Sequence, residues 1–208
     1  EIAEQYKKPL RTFRLYPDMT SKTIKTDISK EYEGRLIEEA EKYIDFQYPY
    51  ISATDYMKFC RNGDRSEFES LYFKKRRVLS TLAMAEFVEQ KGRFLDDIIN
   101  GIMSICEESG WQLPAHNNYV RDGAPLPLPE VSKPVLDLFS CETGALLSYL
   151  YYLLKESLDQ VSEMIGKRIS REVKSRIIEP YLTSHFWWMG DGKEKLCNWT
   201  VWCTQNIL

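Results

Sequence analysis

Residues 137–161 constrain this chain more than any other stretch. Leu147, Leu150, Tyr151, Leu154, Leu158 and Val161 recur at three- and four-residue steps along one helical face, while Leu146, Tyr149 and Leu153 carry the apolar surface round the side. A helix this apolar around its girth predicts burial on most sides, so the rest of the chain must wrap it. Residues 165–182 supply a plainly amphipathic partner, with Ile165, Ile169, Val173 and Ile177 inward and Lys167, Arg168, Arg171, Lys174 and Arg176 outward. Pro180 is expected to close this second helix, and the Glu172 to Arg176 spacing allows an exposed ion pair worth roughly a few tenths of a kcal/mol.

The same period runs upstream. Leu36, Ile37, Ala40, Tyr43 and Ile44 mark a helix that starts near Tyr32 and stops at Pro49. Ser52-Ala53-Thr54-Asp55 offers a cap for a short helix through Arg61, and Asn62-Gly63-Asp64 is a turn. Ser66 and Glu69 match a capping box at the head of a long helix to about Gln90. Gly92 breaks it, and Leu95, Ile98, Ile99, Ile102, Ile105 and Cys106 stripe the next helix, which makes a hairpin with the one before. No useful strand-like alternation appears. The class is therefore all-α, with hairpins of one buried and one more exposed helix in a curved double layer. No repeat of fixed period is present, which favours a toroid over a solenoid array. We expect an irregular lead-in over residues 1–30 and a partial helical toroid over 31–208. The chain stops at Leu208 inside a predicted helix, which predicts a fragment.

Residues 111–134 stand apart. They hold five of the nine prolines together with His116, Asn117, Asn118, Tyr119, Arg121 and Asp122, and they lack any period. A loop of this length in a compact domain is more often functional than decorative; the alternative is a rigid proline-rich crossover. His116 and Asn117 are candidate cleft residues.

The charge balance, 28 basic against 31 acidic residues, disfavours nucleic acid as a partner. The one basic run, Lys74-Lys75-Arg76-Arg77, sits inside a helical pattern and reads as a solvated face. The five cysteines are widely spaced without a CxxC pair and read mostly as small buried hydrophobes; with only two histidines, His116 and His185, no metal site and no cofactor are expected. No apolar run is long enough for a membrane span. The sequence begins at Glu1, so a processed signal peptide remains compatible with it.

Four of the five tryptophans fall in the last stretch, Trp187-Trp188-Met189-Gly190-Asp191-Gly192 and Asn198-Trp199-Thr200-Val201-Trp202-Cys203. Flat stacking surfaces beside amide and carboxylate groups suit a sugar, which offers C–H faces and hydroxyls together. The alternative is a tryptophan-rich junction within the core. Trp187, Trp188 and Trp199 are the candidate stacking residues. His185 reads as packed among aromatics, Tyr181 as packed, and Glu142 as a helix-start carboxylate. Asn198-Trp199-Thr200 also fits the N-x-T glycosylation acceptor.

Four segments then carry a resemblance: Asp137-Leu138-Phe139-Ser140-Cys141-Glu142-Thr143-Gly144-Ala145-Leu146-Leu147; Arg168-Ile169-Ser170-Arg171-Glu172-Val173 with Arg176-Ile177-Ile178-Glu179-Pro180-Tyr181-Leu182; Trp187-Trp188-Met189; and Asn198-Trp199-Thr200-Val201-Trp202-Cys203-Thr204-Gln205-Asn206. Their order and spacing resemble the N-terminal helical domain of heparinase II/III-like polysaccharide lyases, over about half the chain. The resemblance implies an incomplete (α/α) toroid followed by a β-sandwich beyond Leu208, and a secreted or periplasmic enzyme. It also implies an acidic, glycosaminoglycan-like polysaccharide cleaved by β-elimination at a uronic acid. Asn198 matches by context the asparagine that neutralises the uronate carboxylate. Trp199 stands where a histidine often follows, which puts activity in question, and the catalytic tyrosine of the family would lie beyond Leu208, so the fragment alone is expected to be inactive. Two rival expectations are a glycoside hydrolase on a similar toroid, with Glu142 and Asp191 as its carboxylates, and a non-catalytic helical module that binds a glycan or a protein. A working groove would bring His116, Trp188 and Asn198 to one surface.

Overall fold

The computed structural model describes residues 28–190, 192 and 196–208, and the described residues form helices joined by turns and loops, with no strand among them. The lead-in expected over residues 1–30 lies almost wholly outside the described residues, as does Asp191. Helix α1 (Lys30–Glu41) starts on Ser29, whose hydroxyl accepts the Tyr32 N–H, and it ends before Tyr43 and Ile44, short of the stop expected at Pro49. Helix α2 (Ala53–Asn62) starts on Ser52 and is terminated by Gly63 at φ 79°, a left-handed conformation that suits glycine. Helix α3 (Ser66–Glu89) does not use the expected capping box. Its N-cap position is Arg65, which pairs with Glu69, and the Ser66 N–H is met by Asp64 Oδ1 at 2.8 Å, so the turn aspartate supplies the acceptor. Helix α4 (Leu95–Cys106) returns along α3.

Helix α5 (Leu138–Val161) begins with a reciprocal cap: Asp137 Oδ1 accepts the Ser140 N–H at 2.7 Å, and Ser140 Oγ accepts the Asp137 N–H at 2.9 Å. A single residue, Ser162, joins it to α6 (Glu163–Val173). Pro180 does not close that helix. It removes one N–H and crowds the carbonyl four residues back, and the chain opens into a π turn over Lys174–Ile178, with the Glu179 N–H reaching Lys174 O, before continuing as α7 (Glu179–Thr183). Gly144 of α5 permits the close approach of this wide turn, since a Cβ there would meet Ile177 Cγ1 at 2.9 Å. After a 3₁₀ turn over Trp187–Met189, helix α8 (Asn198–Ile207) ends the described chain.

The hairpins α3–α4 and α5–α6 lie side by side, with α3 against α5 and α4 against α6; α1 flanks α3, and α8 flanks α5. Helix α5 buries one face rather than most of its girth: Leu147, Leu150, Leu154 and Leu158 join Ile98, Ile102, Ile105, Leu79 and Leu82 in one core, while Tyr149 and Val161, expected to extend the apolar surface, are exposed because no helix of the described residues covers that side. The basic run is a solvated face only in part, since Lys74 and Arg77 are exposed and the two residues between them are not. Lys75, 2% exposed, and Arg76 lie inside and both pair with Glu108, at 2.8 and 2.7 Å. Nor is the Glu172–Arg176 pair an exposed one: Glu172 is buried and accepts from Arg168 and Arg176, whose guanidinium groups also bond the Cys106 carbonyl. These positions fall on the helical polar stripe, but Ser104 and Cys106 of α4, Glu108 just beyond it and Thr143 of α5 meet them there. Among the described residues no helix is long and apolar enough to cross a membrane.

Candidate functional site

The long loop is built around Asn117. Its amide donates to the carbonyls of Leu126 and Leu128 at 3.0 and 2.9 Å, its Oδ1 accepts Gln112 Nε2, and the side chain is fully buried. Asn117 is therefore not a cleft residue. Three hydrogen bonds of one amide are spent on shaping a chain segment with little helix to satisfy its backbone. The loop is tied to the core at its start, where the buried Trp111 donates its indole N–H to Ile105 O and its carbonyl accepts the Tyr72 hydroxyl. Tyr72 also reaches Phe139 O and Thr143 Oγ1, so the same phenol fixes the head of α5. Burial pushes the Tyr72 hydroxyl well above its ordinary range, which keeps it a donor.

These anchors bring His116, at the end of the 3₁₀ turn Pro114–His116, onto Asp137 at the head of α5. The fully buried carboxylate divides its work: Oδ1 caps the helix, and Oδ2 accepts the Leu113 N–H at 3.1 Å and His116 Nδ1–H at 2.8 Å. The ring is fixed, with Nε2 as its remaining nitrogen. His116 keeps 17% of its side chain exposed. One ring face stacks on Phe139 (5.9 Å, 6° between planes), and Trp199 meets it edge-on at 4.7 Å. Trp199 in turn lies 4.9 Å from Trp187, over which the exposed Arg121 guanidinium sits at 5.4 Å. The wall thus runs Phe139, His116, Trp199, Trp187, Arg121.

Trp188 is not part of it. It is 2% exposed, stacks with Phe186 and Tyr181, and donates its indole N–H to Leu136 O at 2.9 Å. Its role is positional: Trp188 O accepts the Thr200 hydroxyl at 2.5 Å, which sets the start of α8 and hence Trp199. Cys197 is the N-cap of α8, and Asn198 is the first helical residue, exposed, one turn before Trp202. Asn198 borders a hollow with Glu142 and Trp202. Glu142 does not cap α5, which Asp137 does; it accepts the Trp202 indole N–H at 2.9 Å, and its carboxyl is held above the usual range by burial, with the indole N–H opposing. His185 is exposed rather than packed among aromatics.

Asp137, Phe139 and Arg121 were not singled out as site residues from sequence. Asp137 carries a helix-start signal, but the 21 residues between it and His116 conceal the pairing. Cys106, Cys141 and Cys203 are buried, Cys197 is half-buried and Cys60 is exposed; the thiol of Cys141 is pushed far up by its hydrogen bond with Cys203 and by burial, so it is no nucleophile. Among the described residues no group of His, Cys, Asp and Glu is placed to hold a metal ion. No protein-family model and no curated protein matches the chain, so the geometry of this wall carries the functional reading.

Proposed function

We propose that this chain is the helical, incomplete (α/α) toroid part of a polysaccharide lyase that cleaves a uronic-acid-containing, glycosaminoglycan-like polysaccharide by β-elimination outside the cytoplasm. The observation that carries the reading is His116, oriented through Nδ1 by a buried carboxylate and set edge-on to Trp199 within an aromatic wall that ends in a cation. The side-by-side helical hairpins are compatible with a segment of a toroid.

The reaction needs three functions. The uronate carboxylate must be neutralised so that the C5 proton becomes acidic, a base must take that proton, and an acid must protonate the glycosidic oxygen as the C4–O bond breaks and the C4–C5 double bond forms. Asn198, at the positive end of α8, and Arg121 are suited to the first function. His116 Nε2 is suited to a proton transfer, because Asp137 fixes the tautomer that leaves it available. Trp187 and Trp199 offer stacking surface. With Asn117 and Trp188 buried, the substrate-binding set reduces to His116, Trp187 and Trp199, joined by Arg121.

The test is to incubate the full-length protein with uronic acid polysaccharides and follow the ultraviolet absorbance of the unsaturated product. A rise with an acidic glycan that His116→Ala abolishes supports the reading. Absence of a rise with every acidic glycan refutes it, and release of reducing ends from neutral glycans would then support a hydrolase. A non-catalytic interaction module is the second reading, favoured by the outward-facing Leu196, Val201, Trp202 and Leu208, all exposed apolar side chains in or beside α8.

A further inference from the structure

We propose that Trp202 and Glu142 form a second sugar subsite beside Asn198, and that it takes an uncharged sugar unit; the inference rests on the polysaccharide reading above. Asn198, Val201, Trp202, Gln205 and Asn206 follow the helical spacing of one face of α8, and that face meets Glu142 of α5 across a hollow of about 560 Å³. Trp202 is 43% exposed, yet its indole is tethered: its N–H donates to Glu142 Oε1 at 2.9 Å. A pinned indole that keeps an open face is a stacking platform whose ordering entropy is already spent before a ligand arrives.

The polar groups around this platform choose the ligand. Asn198, Gln205, Asn206 and Glu142 supply amide and carboxylate partners for hydroxyls, and among the described residues neither lysine nor arginine lines the hollow. A uronate here would set its carboxylate near that of Glu142 with no cation of the described residues between them. An uncharged hexose or N-acetylhexosamine has no such conflict: its C–H face stacks on Trp202 and its hydroxyls donate to Glu142. The wall on the other side of Asn198 is the electrostatic opposite, with Arg121 over Trp187. Asn198 lines the hollow and is followed directly by Trp199 of the wall, so the two subsites meet at the start of α8. They fit a polymer that alternates a uronate with an uncharged unit.

The experiment is calorimetric titration of the full-length protein with hyaluronan and unsulfated chondroitin octasaccharides, which alternate, and with alginate oligosaccharides of the same length, in which every unit is a uronate. Thermal unfolding and the lyase assay are run in parallel. The alternating ligands should bind more tightly than alginate. Trp202→Ala should weaken them about ten-fold, the loss of one aromatic contact, and Trp202→Phe should weaken them less. Glu142→Gln should narrow the preference over alginate. If Trp202→Ala reduces folding, Trp202→Phe and Glu142→Gln still read the subsite. Binding unchanged in a folded Trp202→Ala variant overturns the proposal, as does absence of binding to either alternating ligand, or a Trp202→Ala effect confined to self-association. Product formation with binding insensitive to Trp202 would remove the subsite and leave the lyase; sensitive binding without product would do the reverse.

Discussion

His116 Nδ1 lies 2.8 Å from Asp137 Oδ2, so the carboxylate that caps helix α5 also sets the tautomer of the only imidazole in the aromatic wall. A carboxylate only accepts, and the Nδ1 hydrogen must therefore point to it. Asp137→Asn keeps a helix cap through Oδ1 but sets an amide donor where Oδ2 accepted, turning the imidazole to the opposite tautomer and leaving the buried Leu113 N–H without its acceptor at a cost of about 1–3 kcal/mol. Turnover is expected to fall by about two orders of magnitude or more, with most of the fold's stability retained. Steady-state kinetics together with nitrogen chemical shifts of the His116 ring check this; full turnover in a folded variant would remove His116 from proton transfer.

The adjacent tryptophans should separate in their effects. Trp188→Ala removes a fully packed indole and its hydrogen bond to Leu136 O, and is expected to destabilise the fold by about 3–5 kcal/mol in urea unfolding. Trp187→Ala removes a half-buried ring from the wall, and should cost about 1–2 kcal/mol while weakening glycan binding.

Glu108 is the carboxylate partner that Lys75 and Arg76 share. Glu108→Gln leaves two buried cations without their counter-charge, and a loss of about 3–5 kcal/mol is expected in the same measurement. Replacing Glu107, an exposed neighbour, should change stability by less than about 0.5 kcal/mol.

Burial holds the Glu142 carboxyl above its ordinary range. The folded state therefore binds this proton more tightly than the unfolded chain does, so the associated stability is present at low pH and is lost as pH rises through the folded value. Glu142→Gln lacks this titration and keeps an acceptor for Trp202. The midpoint of thermal unfolding of the unmodified protein should fall relative to the variant as pH is raised from about 4 to about 7, with the two converging at the acid end. Parallel curves across that range would contradict the assignment.

The sequence marks its helices well because their apolar spacing is local information. The α5 stripe, the turn at Gly63 and the break at Gly92 each follow from residues within a few positions. The misread elements are those in which a neighbour intervenes. Asp64 takes the capping role expected of Ser66, because the turn that precedes α3 aims its carboxylate at the Ser66 N–H. Pro180 passes through the helix because a π turn relieves its clash.

The candidate site was only partly legible. His116, Trp187, Trp199 and Asn198 lie at or beside the wall, while Asn117 and Trp188 do internal work that composition cannot distinguish from binding. An asparagine satisfying loop carbonyls and one facing a ligand have the same chemistry in sequence, and burial alone separates them.

The sequence by itself determined the helical class, the leucine face that α5 buries and the concentration of aromatic and amide groups near the C-terminus, since periodicity and composition belong to the chain. Only the tertiary structure decided which tryptophan faces outward, that Asp137 orients His116, and that Lys75, Arg76 and Glu172 are internal ions. Those outcomes depend on contacts between residues 21 to 70 positions apart, and the sign of a polar residue's contribution is set by what covers it.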